Sequence, residues 1–512
     1  MVISKKSINR LGAREGLRVR QSDNQISVNI YFSDYFNVAP KLLEEYGAFN
    51  ISLVNDLPLF IDPFLLFTSK REEYRQLHDG IIRYLRFLRD KSIAGKITPG
   101  LLLAWFMFKE VKQTWLGFSR FGNSGSGLGM DFGRALNDNL NKVFSDFGNE
   151  RITHGSHLEK LCLINEGVGR DNISDFSTNL IKEYLLSFTQ KFAQEYIAPD
   201  LRGKYRVPKV RFNYETEKWE SELFDLPVYN GDYVILTPVD MLTKDSIWIN
   251  REDLVKNFRE IAESVPDEQL RAELNNYLSS EIPKDAKTKE INAVHVSAYK
   301  VFPKLLEYYI KYKEDHGEEA EALSETNVEE SKLFFIDQVV DFIISLSKNT
   351  GFYQTSGDTL KEAYDRVLFM KHVIEHQDGY RLFYINGEPV KRESDVQLIF
   401  KFTWFASPSD INAEVNNGRG PVDFKASRGA YDKSLIEFKL ASNTQLRRNL
   451  QNQVEIYKMA NDTEKALKVI VYFSELELLK VQAILEELEL KDEKSIILID
   501  ARADNKPSAS KA

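Results

Sequence analysis

The sequence predicts a mixed α/β protein in which a larger, mostly helical N-terminal region precedes a C-terminal α/β module. Three observations lead to this expectation. The chain has 512 residues, which is too long for one ordinary hydrophobic core, so two or three domains are expected. Several long segments before residue 375 repeat apolar residues with a period near 3.6, as amphipathic helices do. From residue 393 the pattern changes to helix, three strands, helix, strand, helix and strand.

The composition is that of a folded soluble protein. The chain is 43% hydrophobic and 28% charged, which excludes a disordered chain. Its one cysteine, Cys162, excludes internal disulfides and cysteine-based zinc sites and fits a reducing compartment. The first residues lack the apolar stretch of a secretory signal, and no apolar run is long enough for a membrane helix. We therefore expect a cytoplasmic protein without a membrane segment.

The N-terminal region is expected to cover residues 1–313. Residues 71–116 are predicted to be helical, and they include an apolar helix from Leu101 to Trp115. Residues 251–313 are also predicted to be helical, after a stretch rich in strands.

The C-terminal boundaries follow from charge and composition. Residues 314–330 are acidic and poor in large apolar side chains, so they are predicted to form a linker or exposed loop. Residues 331–502 form the C-terminal domain, and residues 503–512 are predicted to be a disordered tail.

The distribution of charge along the chain is compatible with a nucleic-acid site. The net charge of −9 argues against a protein that binds nucleic acid over its whole surface. Residues 390–460, however, contain eleven Lys and Arg against eight Asp and Glu, a local charge of +3. A basic module within an acidic chain is compatible with a focused nucleic-acid site.

The chemistry-bearing residues lie on two neighbouring predicted strands. In the strand Leu435 to Leu440, Ile436 and Phe438 face one side, and Glu437 and Lys439 face the other. Asp423 follows a glycine turn at residues 418–420, and if it ends on an adjacent strand it can lie beside both polar side chains.

Two carboxylates and a lysine in this pattern suit phosphodiester hydrolysis. The scissile phosphate is anionic, and a hard cation such as Mg²⁺ binds it together with one or two carboxylates, here Asp423 and Glu437. Lys439 would position or deprotonate the attacking water, or offset the charge that develops on phosphorus.

This pattern resembles the PD-(D/E)xK nuclease superfamily. Pro421-Val-Asp423 is followed, after thirteen residues, by Glu437-Phe-Lys439, with one residue inserted between the proline and the aspartate. Gln453 and Tyr457, four apart on the helix that follows, look like the Q-x-x-x-Y element of RecB-like members. The resemblance covers roughly the last 120 residues. It implies a restriction-endonuclease-like core and a Mg²⁺-dependent endonuclease acting on DNA, with Mn²⁺ able to substitute.

Two residues are candidates for the upstream acid that such nucleases often use as a further metal ligand. Glu414 lies on the first predicted strand, nine residues before Asp423, and is slightly favoured because it is close to the glycine turn. Glu393 lies on the preceding helix, where the superfamily more often keeps this ligand. Both candidates remain open at this point.

Five basic residues are candidates for binding the DNA phosphates on either side of the scissile bond. Solvated surface charge is the alternative explanation for each of them. Two begin the helix after Lys439 and three flank the glycine turn: Arg447, Arg448, Arg419, Lys425 and Arg428.

Other interpretations compete with the nuclease. Glu437 and Lys439 could form an ordinary exposed cross-strand pair, or the fold could persist without activity. From another class, the chain could be a non-enzymatic nucleic-acid-binding or scaffold protein. The loop Gly122–Gly129 lacks the G-K-[ST] of a P-loop, so no ATP use is expected.

The N-terminal region also carries a resemblance. Leu57-Pro-Leu-Phe-Ile-Asp-Pro-Phe64, Asn172 to Phe176, Leu236 to Asp240 and Trp248 to Asn250 resemble segments of uncharacterised bacterial proteins that carry C-terminal nuclease modules. Such proteins often belong to antiphage or mobile-element defence systems. The resemblance implies a sensing or recruiting N-terminal region with a partner protein or phage-derived trigger, and it is compatible with a homo-oligomer.

Overall fold

The structure is a computed structural model. It describes residues 21–22, 25–26, 30–54, 56–95, 97–117, 129–142, 147–163, 170–244, 247–283, 285–349, 358–385, 387–404, 410–413, 423–428, 432–451 and 466–506. These residues form two compact units: the described residues within 31–117 and 129–329 form the first, and those within 330–506, together with residues 21–22, 25–26 and 30, form the second.

Helices dominate the first unit, and a sheet organises the second, which confirms the predicted mixed α/β class. The helices are α1 (Phe32–Phe36), α2 (Pro40–Tyr46), α3 (Pro63–Thr68), α4 (Glu72–Ile93), α5 (Pro99–Leu101), α6 (Met130–Lys142), α7 (Lys160–Leu163), α8 (Arg170–Leu180), α9 (Lys182–Tyr196), α10 (Arg251–Lys256), α11 (Phe258–Ser264), α12 (Glu268–Glu281), α13 (Thr288–Val301), α14 (Lys304–Asp315), α15 (Gly317–Lys332), α16 (Val339–Asn349), α17 (Thr359–His376), α18 (Glu393–Thr403), α19 (446–451) and α20 (Glu475–Glu487). The strands are β1 (Gln21–Ser22), β2 (Gln25–Ile26), β3 (Leu59–Ile61), β4 (Arg202–Asn213), β5 (Lys218–Tyr229), β6 (Asp232–Tyr233), β7 (Leu242–Lys244), β8 (Tyr384–Ile385), β9 (Glu388–Pro389), β10 (Asp410–Ala413), β11 (Phe424–Arg428), β12 (Asp432–Leu440), β13 (Ala466–Tyr472) and β14 (Ile496–Asp500).

The predicted helix from Leu101 to Trp115 is wrong beyond its first turns. A π-helical turn over Leu102–Phe106 follows α5, and the backbone becomes extended at Met107. A lysine on strand β4 accounts for this ending, because Lys209 Nζ donates to the carbonyl oxygens of Ala104 and Met107 at 3.3 Å each. Carbonyls that would accept the next helical hydrogen bonds are thus capped by a side chain.

The acidic stretch at 314–330 is helical, which corrects the predicted linker or loop. Glu314 lies in the last turn of α14 with its side chain 1% exposed, and the rest of the stretch lies mostly in α15. Glu314 accepts hydrogen bonds from the backbone N–H groups of His154 and Gly155, and it pairs with His157 Nε2 at 2.8 Å. The carboxylate therefore binds a loop inside the first unit instead of facing solvent.

The prediction of a disordered tail from residue 503 is wrong for residues 503–506. Ala503 N donates to Tyr384 Oη at 3.1 Å, and Asn505 Nδ2 donates to Asp500 Oδ2 at 2.8 Å. These bonds place residues 503–506, whereas residues 507–512 lie outside the described part of the chain.

The second unit contains a five-stranded sheet in the order β10-β11-β12-β13-β14. The first three strands are antiparallel, and β12, β13 and β14 are parallel. Because parallel strands need crossover connections, α19 lies between β12 and β13 along the chain, and α20 lies between β13 and β14. The element order predicted from residue 393 onwards is present.

Helices cover both faces of this sheet. On one face, α17 packs across β11 to β14, and Phe400 of α18 lies 4.6 Å from Phe438 between ring centroids. On the other face, Ile470 and Tyr472 of β13 join a cluster that includes Leu446 of α19 and Val481 of α20. Strand β13 is therefore buried on both sides, which explains its nearly continuous apolar sequence.

Candidate active site

Strand β12 places Glu437 and Lys439 on the same face of the sheet, as the sequence predicts. Ile436 and Phe438 are buried against the opposite helical layer. The polar pair is largely enclosed, because the Glu437 side chain is 15% exposed and that of Lys439 is 12% exposed. Enclosure strengthens the interaction between charges relative to an exposed cross-strand pair.

Asp423 lies immediately before strand β11, beside the middle of β12. Phe424 is paired with Ile436, and Asp423 Oδ2 accepts a hydrogen bond from Phe438 N at 2.6 Å. Burial raises the pKa of Asp423 to about 6, and repulsion from Glu437 and Glu393 acts in the same direction. Attraction to Lys439 and the bond from Phe438 N oppose this rise.

Lys439 links two carboxylates. Its Nζ lies 3.2 Å from Glu437 Oε1 and 3.1 Å from Glu393 Oε2. Burial would lower the pKa of Lys439, but the fields of Asp423, Glu437 and Glu393 outweigh it and raise that pKa above its ordinary value. Two acids thus contact one ammonium group, and a third, Asp423, lies close enough to raise its pKa; the three come from separate segments of the chain.

Glu393, the first residue of α18, is held from its other side. Its Oε1 accepts hydrogen bonds from Asn443 Nδ2 at 2.7 Å and from Leu440 N at 3.4 Å. Of the two candidates for the upstream acid, Glu393 is therefore brought to the Asp423–Glu437–Lys439 group. Glu414 lies outside the described residues.

A second lysine, which the sequence analysis missed, completes the group. Lys468 on β13 is in register with Glu437, and its Nζ lies 3.3 Å from Glu437 Oε2. Burial lowers the pKa of Lys468, against the attraction of Glu437. A signal was present in the sequence, since Lys468 is the one charged residue in the apolar strand Ala466–Tyr472. Asn443 was also missed, and its sequence context offers no comparable signal.

The remaining predicted residues are described only in part. Arg447 forms an exposed ion pair with Glu487 of α20, and Arg448 is also exposed. Lys425 is half-buried on β11, and for Arg428 only the strand backbone is described. The other predicted residues lie outside the described part of the chain, and they are Arg419, Gln453 and Tyr457.

The donor set suits a hard divalent cation, although its acids are held by lysines in this arrangement. Within the described residues, no group of three or more His, Cys, Asp or Glu side chains is arranged to hold a metal ion. Glu393 and Glu437 nevertheless both contact Lys439, and Asp423 is bonded to the backbone N–H of Phe438 between Glu437 and Lys439. Carboxylate oxygens are the ligands that Mg²⁺ prefers. Three acids and two lysines leave a net charge of −1, which favours a cation.

Two family models match separate parts of the chain. Residues 37–250 match a family model described as a domain of unknown function (DUF8370), and residues 359–475 match another (DUF8371). No curated protein and no solved structure matches the chain. Every residue of the group around Lys439, from Glu393 to Lys468, falls within the second match.

In the part of the chain that the structure describes, every helix is too short or too polar to cross a membrane.

Proposed function

We propose that the second unit is a metal-dependent nuclease that hydrolyses phosphodiester bonds in DNA. The observation that supports the proposal most is the arrangement around strand β12, where Lys439 pairs with both Glu393 and Glu437 and Asp423 accepts a hydrogen bond from Phe438 N, between them. These residues are up to 46 positions apart along the chain, so their convergence depends on the tertiary fold. The choice of DNA over RNA follows from the resemblance to PD-(D/E)xK nucleases.

In this proposal the three acids have a binding role. Asp423, Glu437 and Glu393 would hold Mg²⁺ or Mn²⁺ through their carboxylate oxygens. The bound cation would supply Lewis-acid activation of a water molecule and of the phosphate oxygens. Because Glu393 and Glu437 contact lysines in the structure, binding requires these two carboxylates to exchange an ammonium partner for the cation.

Lys439 would act on the attacking water and on the phosphate. A side chain that contacts two of the acids lies within reach of whatever those acids bind. From there its N–H groups can orient a water molecule and offset the negative charge that develops on phosphorus. Arg447 and Arg448 on α19 are exposed and remain candidates for more distant phosphate contacts.

The test is DNA cleavage by the purified full chain with Mg²⁺ or Mn²⁺, together with Asp423→Asn and Glu437→Gln. Each variant removes one negative charge while keeping the side-chain shape, so cleavage should fall by roughly 10²–10³-fold. Lys494→Ala, at an exposed position of the same unit, is the matched control and should cleave normally. Excess EDTA should abolish cleavage.

If the wild-type chain does not cleave DNA, titration calorimetry with Mn²⁺ distinguishes a nuclease that is inactive in the assay, which binds the metal, from a non-enzymatic protein, which does not. If the wild-type chain neither cleaves DNA nor binds Mn²⁺ at Asp423 and Glu437, the nuclease proposal fails. The alternative of a DNA-binding scaffold then stands, and DNA binding that survives both substitutions would support it.

A further inference from the structure

Lys468 occupies a position in β13 where the sheet does not require a charge. Its neighbours Leu467, Val469, Ile470 and Val471 are apolar and buried, and the Lys468 side chain is itself 3% exposed. Enclosing an ammonium group is costly unless an anion compensates it. An apolar residue would suit a strand that is buried on both faces, so the lysine must be explained by what it contacts.

Its contact is with one oxygen of Glu437. The two strands are in parallel register, with Glu437 beside Lys468 and Lys439 beside Ile470. As a result each lysine contacts a different oxygen of the Glu437 carboxylate: Lys439 Nζ lies 3.2 Å from Oε1, and Lys468 Nζ lies 3.3 Å from Oε2. Glu437 is thus held between a residue of its own strand and a residue of the next strand.

The enclosure of Lys468 separates its role from that of Lys439. Lys439 also bonds Glu393 and joins two of the acids, whereas among the described residues the Lys468 ammonium group pairs with Glu437. At 3% exposure Lys468 is too enclosed to meet a DNA phosphate. Any effect that it has on catalysis therefore passes through Glu437.

We propose that Lys468 is a positioning residue that fixes the orientation of Glu437 and reduces the negative charge of the metal-binding group. The inference rests on the proposed nuclease function. With Lys468 the three acids and two lysines carry a net charge of −1, and without it they carry −2. Lys468 therefore restrains cation affinity while keeping Glu437 in the geometry that the reaction needs.

Lys468→Met tests both the orientation of Glu437 and the charge of the metal-binding group, because methionine fills a similar buried volume without the charge. The variant should bind Mn²⁺ at least about 10-fold more tightly, as the net charge becomes more negative. Its kcat should fall by about 10- to 100-fold, because Glu437 is no longer held, with little change in KM for DNA. Titration calorimetry gives the affinity independently of cleavage.

Two further variants serve as controls for the loss of positive charge and for the loss of any lysine in the same unit. Lys468→Arg keeps the positive charge and should restore wild-type Mn²⁺ affinity and part of the turnover. Lys361→Met removes an exposed lysine that is paired with Asp365 in the same unit, and it should change neither quantity. Circular dichroism melting establishes that each variant is folded, and Lys468→Gln replaces Lys468→Met if the latter does not fold.

The outcomes distinguish this inference from the nuclease proposal. A wild-type chain that neither binds Mn²⁺ nor cleaves DNA contradicts the nuclease function, and the inference falls with it. A wild-type chain that does both, beside a folded Lys468→Met variant with unchanged or weaker Mn²⁺ affinity or unchanged kcat, overturns the role of Lys468 alone.

Discussion

At the scale of single residues, the candidate active site is a row of contacts that runs from Asn443 through Glu393, Lys439 and Glu437 to Lys468. The middle of this row was predictable, because alternation along one strand places Glu437 and Lys439 on the same face. Its two ends were not, since they depend on the register between strands and on the loop after β12. Sequence spacing contains neither of these.

The upstream acid can be tested at this scale. Glu393→Gln removes a carboxylate that bonds Lys439, so it should weaken Mn²⁺ binding by at least about 10-fold and lower cleavage in parallel. Glu414→Gln is the matched comparison and should leave both quantities close to wild type. If Glu414→Gln abolishes Mn²⁺ binding while Glu393→Gln does not, the assignment of Glu393 is incorrect.

At the scale of elements, local pattern predicted strands and amphipathic helices well and their endings poorly. Strand β12 and helix α4 follow their apolar periodicity. The helix expected to reach Trp115 ends early because Lys209, a hundred residues later, binds its carbonyls. The acidic stretch at 314–330 is helical although it has few large apolar residues, because Glu314 pairs with a distant loop and Ala320, Ser324 and Val328 of α15 are buried against the rest of the unit. Tertiary contacts override composition at both places.

Glu314 is therefore expected to stabilise the first unit. Glu314→Ala leaves the buried His157 ring and two backbone N–H groups without their acceptor, and it should reduce the free energy of unfolding by about 3–5 kcal/mol. Glu325→Ala, at an exposed position of α15, should change it by less than about 0.5 kcal/mol. Equilibrium urea unfolding measures both, and equal stabilities would contradict the structural role of Glu314.

Asp175 on α8 gives the first unit a pH dependence. Burial raises the pKa of Asp175 to about 7 from 3.8, and repulsion from Glu110 and Asp171 adds to the rise. The folded state therefore holds the proton more tightly than the unfolded chain. The corresponding stability is present below about pH 4 and is lost as the pH rises to about 7.

Asp175→Asn should remove this dependence, because the amide is neutral at every pH. Between about pH 5 and pH 8 the wild type should lose on the order of 2 kcal/mol more stability than the variant. Urea unfolding at the two pH values measures the difference, with Glu325→Gln as an exposed control. Identical pH slopes for the wild type and Asp175→Asn would exclude Asp175 as the source.

At the scale of the whole molecule, two family models match separate parts of the chain, and the site around Lys439 lies within the second of them. The sequence predicts a C-terminal domain that begins at residue 331, and this boundary stays a prediction. It predicted the mixed α/β class because periodicity and element order are local properties. The role of the first unit stays a hypothesis, in which this unit senses a trigger or recruits a partner and the second unit cuts DNA.

The most direct test of the nuclease proposal is the DNA cleavage rate of Lys439→Met relative to the wild-type full chain at saturating Mg²⁺. The proposal predicts that the variant still binds Mn²⁺, because the three acids remain, and that cleavage falls by roughly 10²–10³-fold, because no ammonium group orients water or offsets charge on phosphorus. A folded Lys439→Met variant that cleaves DNA at the wild-type rate would contradict it.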